Sequence, residues 1–278
     1  MSSITPKVSP HNGLTPRKSW LAAPVVWLGA LLIKRWREFA NFGVFVREIG
    51  HWAVKPPFRT QLLFQQLEFV GNQSLNIILI SGFAVGAVFG LQIGGIFQVF
   101  RAESLMGAAT GKALCQELAP LMTAILITGR AGSAMTAEIA TMKVNEQVDA
   151  MEAMAVDPVS YLVVPRVMAT MIITPLLCAV FIFVGVLGAY IAGVMLFNVD
   201  EGLFIEKLTG FVTPRDITRG LIKSFAFATI LGMLACRYGL RASGGAKGVG
   251  IATTNSVVVT LLSVLGLDVI ITYFQVVW

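Results

Sequence analysis

LCQELAPLMTAILITGRAGSAMTAEIATMKVNEQVDAMEAMAVDPVSYLVVPR, residues 114–166, joins two apolar runs yet is itself polar, acidic and rich in methionine. A connection of that make-up is predicted to be a long helix held on one side of a membrane, where it can dock a partner. Val144, Val148, Met151 and Ala155 fall on one helical stripe, while Glu146, Asp149 and Glu152, three apart, drift slowly around another face. Residues 131–157 carry five acids (Glu138, Glu146, Asp149, Glu152 and Asp157) against one base, Lys143. Asp157-Pro158 is expected to end this helix, because the residue before a proline avoids the α region. An acidic run is equally a solvated face. Against that stand Met135, Met142, Met151 and Met154, whose soft side chains suit a protein groove better than water.

Composition sets the surroundings of this connection. Hydrophobic residues make up 56% of 278 and charged ones 13%, with a mean hydropathy of +0.77. That is an all-α integral membrane protein rather than a soluble domain. Residues 1–60 hold nine cations (Lys7, Arg17, Lys18, Lys34, Arg35, Arg37, Arg47, Lys55 and Arg59) against Glu38 and Glu48, so the rest of the chain nets to −1 within a total of +6. A basic segment directly before membrane spans is explained by anionic headgroups and cytoplasmic retention, so no nucleic-acid partner is expected. Cys115, Cys178 and Cys236 lie in or beside apolar runs, and their odd number argues for reduced, buried thiols.

Taken in order, residues 1–19, with Pro6, Pro10 and Pro16 among Ser and Thr, lack the apolar core of a cleavable signal and are expected to be a disordered cytoplasmic tail. In residues 20–57, Trp27, Leu28, Leu31, Leu32, Trp36, Phe39 and Phe42 recur at helical spacing between Lys34, Arg35, Arg37 and Glu38. That pattern predicts an interfacial amphipathic helix, broken by Pro56 and Pro57. Five spans follow, near 74–100, 113–129, 159–197, 220–236 and 251–278. The second is expected to exit at Arg130 and Glu138, a polar loop fills 198–218, and RYGLRASGGAKGVG makes the last turn. In the first span Gly82, Gly86, Gly90 and Gly94 fall four apart and form a bare ridge for close helix packing. Gly185, Ala189 and Gly193 make a second small ridge in the third span, which is interrupted by Pro175. Phe89, Ile96 and Phe100 lie on another stripe of the first span, for which packing or lipid exposure is the plainer reading on periodicity alone.

Five spans put the two ends on opposite sides. With the N-terminus cytoplasmic, that side collects fifteen Lys and Arg. The other collects six: Arg101, Lys112, Lys207, Arg215, Arg219 and Lys223. The positive-inside rule therefore predicts residues 130–166 in the cytoplasm and the C-terminus outside. Two acids fall within spans, Glu117 near the outer side and Asp268 in the fifth. Charges at such depth face a bundle interior, a cavity or a partner; for Asp268 a structural contact and a functional role both stay open. His11 and His51 are the only histidines and no GxxxxGK[ST] loop occurs, so no histidine metal cluster, Ser-His pair, nucleotide site or cofactor is expected. Uphill work would need another chain.

Several blocks resemble one family: QELAP at 116–120, GRAGSAMTAEIATM at 129–142, EQVDAMEAMAVDP at 146–158, VVPR at 163–166 and ATTNSVVVTLLSVLGLD at 252–268. Together they resemble the MlaE/YrbE permeases of lipid-transporting ABC systems, over about residue 30 to the end. The resemblance implies residues 58–278 as a permease domain, working as a homodimer in the bacterial inner membrane. Its implied partners are a cytoplasmic ABC ATPase, a hexameric MCE-domain protein, a STAS-domain protein and a periplasmic carrier, and its implied role is phospholipid transport that maintains outer-membrane asymmetry. It makes the segment around Glu138, Met142, Glu146, Asp149, Met151, Glu152 and Asp157 the coupling helix. It also puts Glu117 at a lipid pocket; the preferred reading built on it sets acyl tails against the span-one bulk of Phe89, Ile96, Phe97 and Phe100. Gln116 stands where close relatives often carry Arg. Other readings are a scaffold that assembles the partners without handling lipid, an importer of other lipids such as sterols, and a secondary transporter driven by Asp268.

Overall fold

The computed structural model describes residues 23–55 and 59–277. Every regular element among them is helical: α1 (Ala23–Val54), α2 (Thr60–Val99), α3 (Met106–Ala113), α4 (Ala119–Ile127), α5 (Ser133–Val144), α6 (Gln147–Ala153), α7 (Val164–Phe197), α8 (Glu201–Phe211), α9 (Pro214–Leu240) and α10 (Gly245–Val277). Two units divide the chain, Met1–Arg47 and Glu48–Trp278. The first contributes most of α1, with Trp36 exposed. The tail expected over residues 1–19 and the break at Pro56-Pro57 lie outside the described residues.

Five helical stretches are long and apolar enough to cross a membrane: Thr60–Val99, Glu103–Val144, Val159–Phe197, Pro214–Leu240 and Gly245–Gln275. Charge-interrupted α1 is not among them. The first and third are the most extensively packed pair, and glycine decides how closely they approach. All four ridge glycines of α2 are buried. A Cβ on Gly86 would overlap the Gly185 carbonyl, one on Gly90 would come within 3.0 Å of Ala189 Cα, and one on Gly82 within 3.3 Å of the Phe181 carbonyl. Two small ridges therefore meet backbone to backbone, and dispersion over that contact replaces the hydrophobic drive that lipid cannot supply. Gly193 faces Met106 and Phe204 instead of α2. Leu114, Ile127, Met135, Leu177, Phe181 and Leu231 fill the core between spans.

Several expected boundaries move, each for a local reason. Span two stays helical past Arg130. Its guanidinium donates to the Phe69 carbonyl at 2.6 Å and to Ser74 Oγ at 3.4 Å, pairs with Gln73, and lies 4.7 Å from the Phe69 ring centroid. With its donors met by α2, the half-buried cation is held against that helix, and the helical stretch runs on to Val144.

The long connecting helix is two pieces, because Glu146 adopts a left-handed φ of 60° between α5 and α6 and Ala155 another of 58° after α6. The Asp157 carboxylate accepts from the Val159 amide at 2.8 Å, so Asp157-Pro158 opens the π-turn Val159–Val163 that leads into α7 instead of closing a helix. Met135 belongs to the core and not to a docking face. The polar loop expected at 198–218 contains α8, capped by Asp200 accepting from the Leu203 amide at 3.0 Å and anchored by Phe204, whose ring stands edge-on to Tyr190 at 5.4 Å. The last turn shrinks to residues 241–244.

Candidate functional site

Span two carries two π-turns, Leu114–Leu118 and Thr128–Gly132. Pro120 has no amide hydrogen for the Gln116 carbonyl, so the backbone just before it widens, with the Ala119 amide donating to Leu114 O five residues back. Glu117 stands in this widened turn. The Gln116 side chain is held in turn, donating to Asp216 Oδ1 at 2.6 Å. Asp216 is the N3 residue of the capping box that starts α9, where its other oxygen accepts from the Thr213 amide and hydroxyl at 2.9 and 2.8 Å. The start of α9 and the Glu117 turn are thereby fixed to each other.

Lys223 lies about 13 Å into α9 from Pro214, at 1.5 Å per residue. Its side chain is 0% exposed, and its ammonium touches three groups from two other helices. It donates to Glu117 Oε2 at 2.5 Å and to Thr272 Oγ1 at 2.7 Å, and pairs with Asp268 Oδ1 at 2.7 Å without hydrogen-bond alignment. Thr272 follows Asp268 by one helical turn, which puts both on one face of α10. The Thr272 hydroxyl also reaches Glu117 Oε1 at 3.2 Å. Two carboxylates and one ammonium give the cluster a formal charge of −1. Its exposure is graded, with the Asp268 side chain 17% exposed and that of Glu117 40%. Buried charge is tolerated only when paired and hydrogen-bonded. Here the cation is fully sequestered while one anion reaches the surface of the bundle.

Sequence reasoning set Lys223 among the outer cations and did not name Thr272. The available signal was electrostatic: Glu117 and Asp268 both fall in spans, Lys223 falls in the apolar run 220–236, and a pair of intramembrane acids calls for a cation.

The other expected lipid contacts lie elsewhere on the chain. Phe89 and Phe97 on α2 are half-buried, Phe97 against Met106 and Phe204, while Ile96 and Phe100 are exposed. The main neighbour of α2 is α7, whereas Glu117, Lys223 and Asp268 come from the α4 turn, α9 and α10.

At the far end of span two, about 40 Å along the helix from Glu117, α6 presents a mostly exposed surface with Val148 buried beneath it. Glu146 and Glu152 are exposed, and Met142 and Met151 half-buried. Asp149 pairs with Lys143 across the break. Glu138 pairs with buried Arg166 at 2.9 Å, and Arg166 also donates to the Leu162 carbonyl at 3.0 Å. Beside α6 a cavity of about 470 Å³ is lined by Glu48, Lys143, Val148, Glu152 and Asp157 among others. Burial first, and Asp157 second, push the Glu48 carboxyl above the usual carboxylate range. Among the described residues no group of three or more His, Cys, Asp or Glu side chains is set to hold a metal ion, and all three cysteines are free and buried.

The family model described as Permease MlaE matches residues 63–274. A probable ABC transporter permease protein of Synechocystis is 40% identical over 200 residues, covering 72% of this chain and 76% of its own. The intermembrane phospholipid transport system permease protein MlaE of Haemophilus influenzae is 40% identical over 234 residues, covering 84% and 89%. A probable ABC transporter permease protein of Rickettsia felis is 35% identical over 245 residues, covering 88% and 95%.

Proposed function

The chain belongs to the MlaE permease family, and from that premise we propose that it is the membrane subunit of an ABC transporter moving phospholipid between membranes, with ATP hydrolysed by a separate chain. The observation that carries the reading is the sequestered Lys223 held between Asp268 and the partly exposed Glu117. A phospholipid headgroup brings an anionic phosphate to such a site. Approaching from the open Glu117 side, it competes with Glu117 for the Lys223 ammonium while Asp268 keeps the cation oriented. The ordering by exposure supports this, since only the outermost acid has to move.

In this reading two copies of the chain enclose the lipid, and its tails lie against Phe89, Ile96, Phe97 and Phe100. The acidic face of α6, with Glu146, Asp149 and Glu152, seats in the ATPase. Glu138 and Asp157 set the angle of that element through Arg166 and the Val159 amide. ATP-driven closure moves α6, and span two carries the movement to the Glu117 turn. The N-terminus lies in the cytoplasm of a bacterium and the C-terminus in the periplasm, where an MCE-domain hexamer and a soluble carrier continue the route to the outer membrane. A STAS-domain protein attaches to the ATPase.

A photocrosslinking amino acid at Phe100 tests the lipid path. In the assembled transporter it should capture phospholipid in proportions that change on adding ATP. Capture of bulk lipid alone, indifferent to nucleotide, would make the chain a scaffold.

A further inference from the structure

The short turn between the last two spans frames a cavity of about 400 Å³ that the transport path does not use. Its polar lining is Tyr238, Arg241, Ser243 and Asn255, set against the apolar side chain of Ile251. A Cβ on Gly248 would overlap the Ser243 carbonyl, so the turn is pressed onto the first turns of α10 and the pocket's outline is fixed by backbone.

The pocket carries unmatched positive charge. Lys143 and Arg166, at the same end of the bundle, are matched by Asp149 and Glu138. Arg241 and the exposed Lys247 have no carboxylate within ion-pair distance among the described residues. The reason is in the chain itself, for no Asp or Glu occurs between Asp216 and Asp268. Residues 241–244 join two helices long and apolar enough to cross a membrane, so the four-residue link keeps the pocket at their shared end.

We propose that the cavity lined by Tyr238, Arg241, Ser243 and Asn255 binds the phosphate of an anionic lipid headgroup from the surrounding leaflet, as a site separate from the Lys223 cluster. Arg241 and Lys247 supply the charge, and the Tyr, Ser and Asn side chains supply neutral hydrogen bonds to phosphate oxygens. Ile251 borders the first acyl carbons. Such a lipid would pin the α9–α10 turn against α5, with which it already shares an apolar contact of Ala140, Ala242 and Ala252.

The test uses the purified full-length chain in detergent, titrated with phosphatidylglycerol, phosphatidylcholine or inorganic phosphate. Retained lipid is counted by native mass spectrometry and thermal stability is read in parallel. Phosphatidylglycerol should be retained in preference to phosphatidylcholine. The double variant R241Q/K247Q should bind it roughly five-fold more weakly per cation removed, R241K should hold it like the parent, and Lys207→Gln at the opposite end should change nothing. Elution volume and stability in phosphatidylcholine alone establish that the variants fold. Equal retention by R241Q/K247Q overturns the proposal, as does equal retention of the two lipids. Stabilisation by inorganic phosphate as large as that by phosphatidylglycerol assigns the pocket to a soluble anion. Loss of ATPase co-purification with lipid retention intact assigns it to a protein acid. Either result also overturns the lipid site.

Discussion

Replacing Lys223 with methionine keeps the length of the side chain and removes the only cation between Glu117 and Asp268. The ammonium is 0% exposed and holds both acids and Thr272, so the variant leaves two carboxylates facing each other around an apolar stub. Taking away one partner of a buried pair costs about 3–5 kcal/mol. The Glu117 side chain is 40% exposed and is screened by its surroundings, so the lower end applies, about 3 kcal/mol. At roughly 2–4 °C per kcal/mol for a chain of this size, the melting temperature in detergent should fall by about 6–12 °C. Adding Asp268→Asn removes the most buried uncompensated charge. The double variant should recover at least ~1 kcal/mol relative to the sum of the single changes, because the two residues touch. Thermal unfolding followed by tryptophan fluorescence reads both numbers. A Lys223→Met variant within about 0.5 kcal/mol of the parent, the range of ordinary surface changes, or strict additivity with Asp268→Asn, would refute the electrostatic account of the cluster.

Other outcomes follow from single contacts. Gly86→Leu drives a side chain into the Gly185 backbone, so it should exceed the ~1–3 kcal/mol usual for overpacking and yield little monodisperse protein on size exclusion, while Gly95→Leu, off the ridge and facing open space, should be tolerated. Arg130→Met removes the donors to Phe69, Gln73 and Ser74 and should cost about 2–3 kcal/mol by thermal unfolding, since hydrogen bonds to charged groups are the stronger ones. The Glu48 carboxyl is raised by burial and by Asp157. Its neutral form therefore suits the fold, and the associated stability is complete at low pH and lost as pH rises through its folded value. Glu48→Gln should accordingly melt above the parent at pH 8, with the difference closing toward pH 4. Glu146→Lys combined with Asp149→Lys should sharply reduce recovery of the ATPase in co-purification, and undiminished recovery would argue against docking on α6.

The spans were legible because lipid-facing and core-facing residues are both apolar, so a run's length alone marks them. The α2 ridge was legible for a simpler reason: four glycines at one helical spacing have few other uses. What stayed hidden depends on partners far away in the chain. Arg130 carries no local sign of its acceptor, the Phe69 carbonyl 61 residues earlier. Lys223 reads as a flanking cation until α9 and α10 bring it between two acids. Met135 belongs to the same methionine-rich run as half-buried Met142 and Met151 and exposed Met154, yet the packing of α5 turns it into the core. The break at Glu146 carries neither glycine nor proline, so no local residue type announced its left-handed backbone. Apolar run length gave the five candidate spans, while the charge count set Lys223 among the outer cations although its side chain is buried against two acids.

In the proposed route phospholipid meets the Glu117 end of span two. Transfer of fluorescent phospholipid from donor liposomes by the reconstituted complex, with Glu117→Gln against the parent, tests it most directly. The neutral amide preserves shape and removes the charge that trades places with the headgroup at Lys223. ATP-dependent transfer should fall by at least about ten-fold, consistent with a charge-assisted hydrogen bond of ~1.5–3 kcal/mol, with the ATPase still bound. Transfer at the parental rate by a fully assembled complex would contradict the account.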